Sequence, residues 1–511
     1  MYPGAFAATT PDKPAAIRPA TGEQVTYAEL EARSAQLAHL LVDDWGMRPG
    51  ETIAVVSDNT LEMLEIYWGA LRVGLYIAAI NHHLTADESS YIIGDCGARA
   101  LFVSAPVADH VDLSEGANPS VEHRVVFGGQ LAGFEDYRTL LEGQPTEAPA
   151  DQPRGHDFLY SSGTTGRPKG VRVDPPEGQI DEVPDYYTPI FSFLYGFDAS
   201  SIYLCPAPLY HAAPLRFCGV VNSVGGTVIL MDRFDAEESL RLIQEYEVTH
   251  SQWVPTMFVR MLKLPEATRA KYDLSSLTHA IHAAAPCPPE VKRRMIEWWG
   301  PVIHEYYSAT EGMGITFINS QEALERPGSV GKDGLKGIAH ICDDDGNELP
   351  TGEIGTIYWQ NDENSFSYHG DDEKTASVRH PDHPTWATFG DVGYLDEDRF
   401  LYLTDRKAFT IISGGVNIYP QEIENALVLH PAVEDVAVIG IPDEDLGEKV
   451  YAVVVAAEGR EPGPELAEEI LGALRGTISD FKMPRGLDFV DELPRTPTGK
   501  LVKRRIVQQY A

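Results

Sequence analysis

Cysteine is scarce and scattered. The five residues Cys96, Cys205, Cys218, Cys287 and Cys342 never form a CxxC pair. That spacing argues against a disulfide framework or a zinc knuckle and suits reduced, mostly buried thiols. No window approaches the roughly 18 uninterrupted apolar residues of a membrane-spanning helix, so no integral membrane segment is expected. The opening MYPGAFAATTPDKPAAI lacks a basic leader and a sustained apolar stretch. No secretory signal is read there, and the expected compartment is cytoplasmic. Positive charge is also short: 40 Lys and Arg stand against 77 Asp and Glu, a formal net charge of −37. Binding to nucleic acid or anionic lipid is therefore disfavoured. Any anionic ligand must be met by locally placed cations, so their positions matter more than their number. No internal repeat and no coiled-coil heptad is visible, and the sequence leaves the oligomeric state open.

What is present describes a globular protein of more than one domain. At 511 residues the chain is longer than a single core usually supports, and 43% of it is hydrophobic. TYAELEARSAQLAHLL sets Thr26 and Glu29 at capping-box spacing before a helical pattern. ETIAVVSDN then reads as a buried strand, TLEMLEIYWGALRVG as a helix, and ALFVSA and HRVVFGG as further strands. This alternation predicts an α/β fold of layered, largely parallel sheets and helices. The stretch from Glu142 to Arg154 reads as a loop, and DPPEGQIDEVPDYY as an acidic surface excursion. A late boundary falls in FLYLTDRKAFTIISGGVNIYPQEIE. It divides a large N-terminal domain, 1–404, from a small α+β domain, 405–511, in which VEDVAVIGI and KVYAVVVAA read as strands and PELAEEILGALRGTIS as a helix.

Seven stations carry chemistry. YSSGTTGRPKG, residues 160–170, is rich in glycine and hydroxyl groups and contains Lys169. Backbone N–H groups of such loops can converge on phosphate oxygens. The GxxxxGK[ST] pattern fails here, so a Walker-type NTPase is not supported and a flexible hairpin is the plain alternative. PLYHAAP holds His211 between strand and helix patterns, where a lone histidine is ordinarily structural. HAAAPCPPE contains Ala284, Ala285 and Pro286 and could be a tight loop of the core. EYYSATEG offers Tyr307, an aromatic face suited to a purine, and Thr310 and Glu311, the latter a hard oxygen ligand for a divalent cation. FGDVGYLDED supplies Asp391, TDRKAF supplies Arg406, and PRTPTGKLVKRR places Lys500 in a polar turn before a basic helix. Alone, an exposed glutamate or lysine would be a solvated charge.

In order and spacing, these stations resemble the motifs of the adenylate-forming superfamily, and the resemblance covers essentially the whole chain. It implies a fold of a large layered domain with a small mobile C-terminal domain, and an acid–thiol ligase using ATP, Mg2+ and coenzyme A. Ser161, Ser162, Gly163, Thr164, Thr165, Gly166 and Lys169 would then hold the terminal phosphates. Ala284, Ala285, Pro286 and Tyr307 would border adenine. Thr310 would contact phosphate oxygens, Glu311 would hold the metal, and Asp391 and Arg406 would meet ribose and phosphate. His211 would border the acyl pocket, and Lys500 would bridge carboxylate and α-phosphate during adenylation. Rotation of the small domain would then bring Gly414 and Gly415 against the pantetheine arm. Lys482, Arg485 and the KLVKRR segment are candidate attractors for the CoA phosphates. A non-catalytic nucleotide- or acyl-adenylate-binding protein on the same fold is the competing class; the retained Lys169, Glu311, Asp391 and Lys500 argue against it.

Two departures from the family pattern stand out. Ala408 occupies the hinge position where Asp or Lys is common, and Ser308 replaces the glycine after Tyr307, so a side chain narrows or polarises the pocket near the reacting carbonyl. They suggest that adenylation is weaker than thioester formation. No aspartate is placed to hold an amino acid's ammonium group. AAPLRFCGVVNSVGGTVIL, after His211, is mostly apolar, and its charged exception, Arg216, is readable as solvent-facing. The expected substrate is therefore an apolar carboxylic acid or its acyl-adenylate, with bacterial fatty-acyl and 4-coumarate-type CoA ligases the nearest resemblance. The alternative is an actinomycete natural-product ligase for a bulky polycyclic or aryl acid that mainly performs thioesterification.

Overall fold

The computed structural model describes residues 2–111, 118–161, 168–362, 366–406, 409–414, 416–443, 445–495 and 501–510. Strands Thr52–Val56, Tyr76–Ile80 and Ala100–Ser104 are buried along their whole length. Continuous apolar runs of this kind belong in a parallel sheet covered on both faces. They form the middle of an all-parallel six-stranded sheet that His123–Phe127 and two short strands extend. The helix Tyr27–His39 starts as its sequence predicts: Thr26 Oγ1 accepts from the Glu29 N–H at 3.2 Å, and the Thr26 N–H donates to Glu29 Oε2 at 2.9 Å. Such a cap is worth about 1 kcal/mol.

The second large sheet has thirteen strands and changes character halfway. Ile202–Cys205, His250–Trp253, His279–His282 and Ile303–Ser308 run parallel. From Ile303–Ser308 onward every pairing is antiparallel, beginning with the hairpin to Ile315–Ile318. The change of direction leaves the turn 309–314 at the carboxyl edge of the parallel half, where α/β sheets characteristically bind ligands. A small antiparallel sheet of Leu159–Ser161, Lys169–Arg172 and Ser367–Tyr368 lies apart from both.

Phe400–Arg406 is a strand of the thirteen-stranded sheet, and Ile411–Ser413 opens the sheet of the small domain. In the small domain, Val433–Asp443 and Gly447–Ala456 form a long hairpin, and the helix Pro464–Ala473 packs with its core. Lys263 joins the two parts by donating to the carbonyls of Val433 and Glu434 at 3.0 and 2.9 Å.

The acidic excursion is more than surface decoration. Ile180 is fully buried, and Arg154 holds the segment by donating to the carbonyls of Val183 and Ile180 at 2.8 and 2.7 Å. Asp185 then accepts from the N–H groups of Tyr187 and Thr188 at 2.7 and 2.8 Å and so starts the helix Tyr187–Tyr195. One buried isoleucine and one paired arginine outweigh the polar composition around them.

Candidate functional site

A cavity of about 770 Å3 opens along the carboxyl ends of the parallel strands. Strand Ile202–Cys205 leads to His211, His279–His282 to Ala284, Ala285 and Pro286, and Ile303–Ser308 to Thr310 and Glu311. All of these line the cavity, as do Lys169, Tyr307 and Asp391. Parallel strands ending at one edge bring His211 and Glu311, 100 positions apart, to one cavity.

In the small sheet, Ser161 and Lys169 are register partners, one on either side of residues 162–167. Ser162, Gly163, Thr164, Thr165 and Gly166 lie outside the described residues. The Lys169 ammonium sits 5.7 Å from the centre of the Tyr368 ring. Burial lowers its pKa, nearby Lys374 lowers it further, and Asp371 opposes them. The Tyr368 hydroxyl donates to Glu311 Oε1 at 2.8 Å. Strand pairing sets this link, because Tyr368 lies opposite Val171, two residues beyond Lys169.

Elsewhere on the cavity wall, the Tyr307 hydroxyl donates to Asp391 Oδ2 at 2.5 Å, and Asp391 is only 8% exposed. Arg406 lies opposite Asp391 in the antiparallel register of two neighbouring strands. Ala284 has φ 74°, a left-handed conformation that costs a non-glycine residue roughly 1–2 kcal/mol. The strain turns the backbone of Ala283–Pro286 along the cavity wall.

Another part of the cavity is walled by aromatic rings, and His211 stands at the N-terminus of the helix Ala212–Ser223. Phe191 stacks on Phe217 at 4.5 Å, with Tyr306 5.6 Å away. The Ser308 hydroxyl turns back to the Gly314 carbonyl at 2.7 Å, so its polarity is spent on the hairpin turn. Arg216 does not face solvent. It is 8% exposed and grips Asp157 through two hydrogen bonds of 2.7 and 2.8 Å, with its guanidinium 4.4 Å from the Tyr187 ring centre. Burial alone would raise the Asp157 pKa, but Arg216 and His156 hold it well below the usual carboxylate range. A charged residue within a buried helix requires such a partner; that was the signal available in the sequence. Tyr368 and Lys336, which also line the cavity, carried no comparable signal.

The small domain closes one side. Arg495 and Leu501, which flank residues 496–500, both line the cavity, as do Phe409 and Glu424. Lys500, Gly415 and Ala408 lie outside the described residues. Gly414 has φ 58° and does not line the cavity. Two expected CoA attractors are already engaged: Lys503 is buried against Glu424 at 2.9 Å, and Lys482 pairs with Glu422 at 2.6 Å. Both carboxylates come from the helix Pro420–Leu427, far from these lysines in sequence. Arg504 and Arg505 remain exposed.

Among the described residues, no group of three or more His, Cys, Asp or Glu side chains is suited to hold a metal, and no helix is long and apolar enough to cross a membrane.

The AMP-binding enzyme family matches residues 5–369, and its C-terminal domain family matches residues 422–500. A fatty acid–acyl-carrier-protein ligase of Streptomyces coeruleorubidus is 30% identical over 96% of this chain and 92% of its own length. A feruloyl-CoA synthase of Amycolatopsis sp is 32% identical over 96% of this chain and 94% of its own. Among solved structures, ATP-bound MatB from Rhodopseudomonas palustris superposes with a TM-score of 0.81 at 27% identity, covering 100% of this chain and 99% of that one. An anthranilate CoA ligase in complex with anthranoyl-AMP gives a TM-score of 0.83 at 25% identity over 100% of this chain and 97% of the other. In sequence across both domains, and in fold, the chain belongs to the AMP-binding enzyme family of the adenylate-forming superfamily.

Proposed function

We propose that the protein is an AMP-forming acid–CoA ligase. In its first step a carboxylate oxygen bonds to the α-phosphorus of ATP and the bond to pyrophosphate breaks, giving an acyl-adenylate. In its second step the CoA sulfur bonds to the acyl carbon, AMP leaves with the carboxyl oxygen, and the thiol proton passes to water. The observation that carries this reading is the convergence of Lys169, Tyr307, Glu311 and Asp391 on one cavity that also has an aromatic end and a wall from the small domain.

The first step brings two anions together, so catalysis rests on positioning and charge stabilisation. Lys169, with Thr164 and Thr165, would hold the β- and γ-phosphates, and Lys500 would bridge the carboxylate and α-phosphate. Asp391 offers acceptor oxygens for ribose hydroxyls beside Tyr307, whose ring suits adenine. Glu311 fits a magnesium site. It is a single carboxylate at 8% exposure, and Mg2+ characteristically takes one or two protein carboxylates, with substrate phosphates and water completing its shell. Bound there, the cation would screen charge on the phosphates. The fold and the relatives' names support a CoA ester as product; Gly414 and Gly415 would meet the pantetheine arm after domain rotation.

The test is a panel of aryl and alkyl acids assayed in parallel for pyrophosphate release and for CoA-ester mass. Both signals should rise together for the same acids. Pyrophosphate without any thioester would remove the CoA half of the proposal, and neither signal with any acid would remove the whole.

A further inference from the structure

Among the described residues, one cation of the cavity wall, Lys336, has no carboxylate ion-paired to it. Lys336 ends the strand Ser329–Lys336, opposite Ile315, and lines the cavity. Gly337 follows with φ 73°, and a side chain there would meet the Met313 carbonyl at 2.4 Å. The backbone therefore turns sharply against the 309–314 loop directly after Lys336. The ammonium lies 5.6 Å from the Tyr186 ring centre, and a Cβ placed on Gly312 would sit 3.6 Å from it. It thus stands between the Glu311 turn and the tyrosines delivered by the acidic excursion.

Among the described residues, no carboxylate forms an ion pair with Lys336. Arg216 repels it, and Asp157 already takes two of the Arg216 hydrogen bonds. Burial and Arg216 together lower the Lys336 pKa. Asp157, Arg216 and Lys336 thus leave one surplus positive charge in a largely aromatic compartment of a chain with net charge −37. Solvated lysines are easily placed on such an acidic surface. A half-buried one with a cation for its neighbour is disfavoured unless a ligand supplies the missing charge.

We infer that Lys336 is a specificity-determining residue that receives a second anionic oxygen group, such as a carboxylate, on the acid being activated. This rests on the acid–CoA ligase reading and revises the purely apolar substrate expected from sequence. The favoured acid has a ring or short apolar spacer, which the tyrosine and phenylalanine walls accept, and an anionic substituent beyond the reacting carboxylate. The ammonium would hold that substituent by a charge-assisted hydrogen bond.

The test uses the full-length enzyme with phenylacetate and 3-phenylpropanoate, each bearing hydrogen, methyl or carboxylate on the ring, and with octanoate against octanedioate. The wild-type enzyme should favour the ring carboxylate or the diacid by about 10–100-fold in kcat/KM, chiefly through KM. K336M should abolish or reverse that preference, and K336R should keep much of it. A K336M enzyme that still gains thermal stability from ATP is folded; if it is not, the wild-type and K336R preferences decide. Equal use of charged and neutral acids by the wild type, or a K336M loss that is the same for both, overturns the assignment. Absence of pyrophosphate from every acid would instead strike the underlying ligase reading.

Discussion

Tyr368 donates its hydroxyl hydrogen to Glu311 Oε1 across 2.8 Å while its ring lies beneath the Lys169 ammonium at 5.7 Å. One side chain thus touches both the proposed phosphate lysine and the proposed magnesium carboxylate. Y368F keeps the ring and removes only the hydrogen bond. Partners that orient a metal ligand typically govern affinity by 10–100-fold. The magnesium concentration for half-maximal ATP–pyrophosphate exchange should therefore rise roughly tenfold, with melting temperature nearly unchanged. An unaltered magnesium dependence would separate Tyr368 from the metal site.

The buried Arg216–Asp157 pair makes a prediction about stability. R216M leaves a carboxylate at 3% exposure without its guanidinium, and such breakage typically costs about 3–5 kcal/mol. The urea midpoint should fall clearly. The double variant D157N/R216M should lose less than the two single variants added together, because neither charge is then stranded. Additive losses would mean that the pair is not energetically coupled.

This pair also marks the limit of what the chain discloses before folding. The turn in EYYSATEG is legible because a tight turn needs special residue types in immediate succession. The Thr26–Glu29 cap is legible because its partners are three residues apart. Arg216 reads as solvent-facing because Asp157 lies 59 positions earlier, outside any local pattern. Tyr368 reaches Glu311 across 57 positions through a strand of only two residues. The CoA-attracting reading of Lys503 fails for the same reason, since Glu424 reaches it from a helix some 80 residues earlier.

Acid should destabilise the thirteen-stranded sheet through a stack of histidines. His250 lies over His279 at 5.0 Å, and His279 over His304 at 4.8 Å, on three adjacent parallel strands. Burial first, and mutual repulsion second, push His304 down to about 4. Burial likewise lowers His250 to about 4, with repulsion from His279 adding to it against the hydrogen bond to the Tyr195 carbonyl and Asp198. Their unfolded pKa is near 6.5, so unfolding takes up protons. The neutral stack stabilises fully above pH about 6.5, and its contribution is lost as pH falls toward about 4. The melting temperature should be level near pH 7–8 and decline through that window, and H304F should flatten the decline. A profile of the same slope in H304F would assign the acid sensitivity to other groups.

The two roles proposed for the small domain allow the half-reactions to be cut apart. Arg495 and Leu501 line the cavity on either side of residues 496–500, while Gly414 does not line it. Lys500 is proposed to serve adenylation and Gly414 the passage of pantetheine. K500A should therefore reduce ATP–pyrophosphate exchange by at least about 100-fold, as loss of a charge-stabilising donor does, yet leave thioester formation from supplied acyl-adenylate largely intact. G414A should do the reverse. Its left-handed φ of 58° strains alanine modestly, and the added methyl meets Leu446 Cδ2 at 3.4 Å, an ordinary contact. The protein should fold, keep its exchange activity and lose roughly tenfold in thioester formation, because the thiol can no longer approach along the backbone. The same pair of assays tests whether Ala408 and Ser308 unbalance the enzyme. Wild-type exchange as fast as overall CoA-ester formation would show that adenylation is not the weaker step.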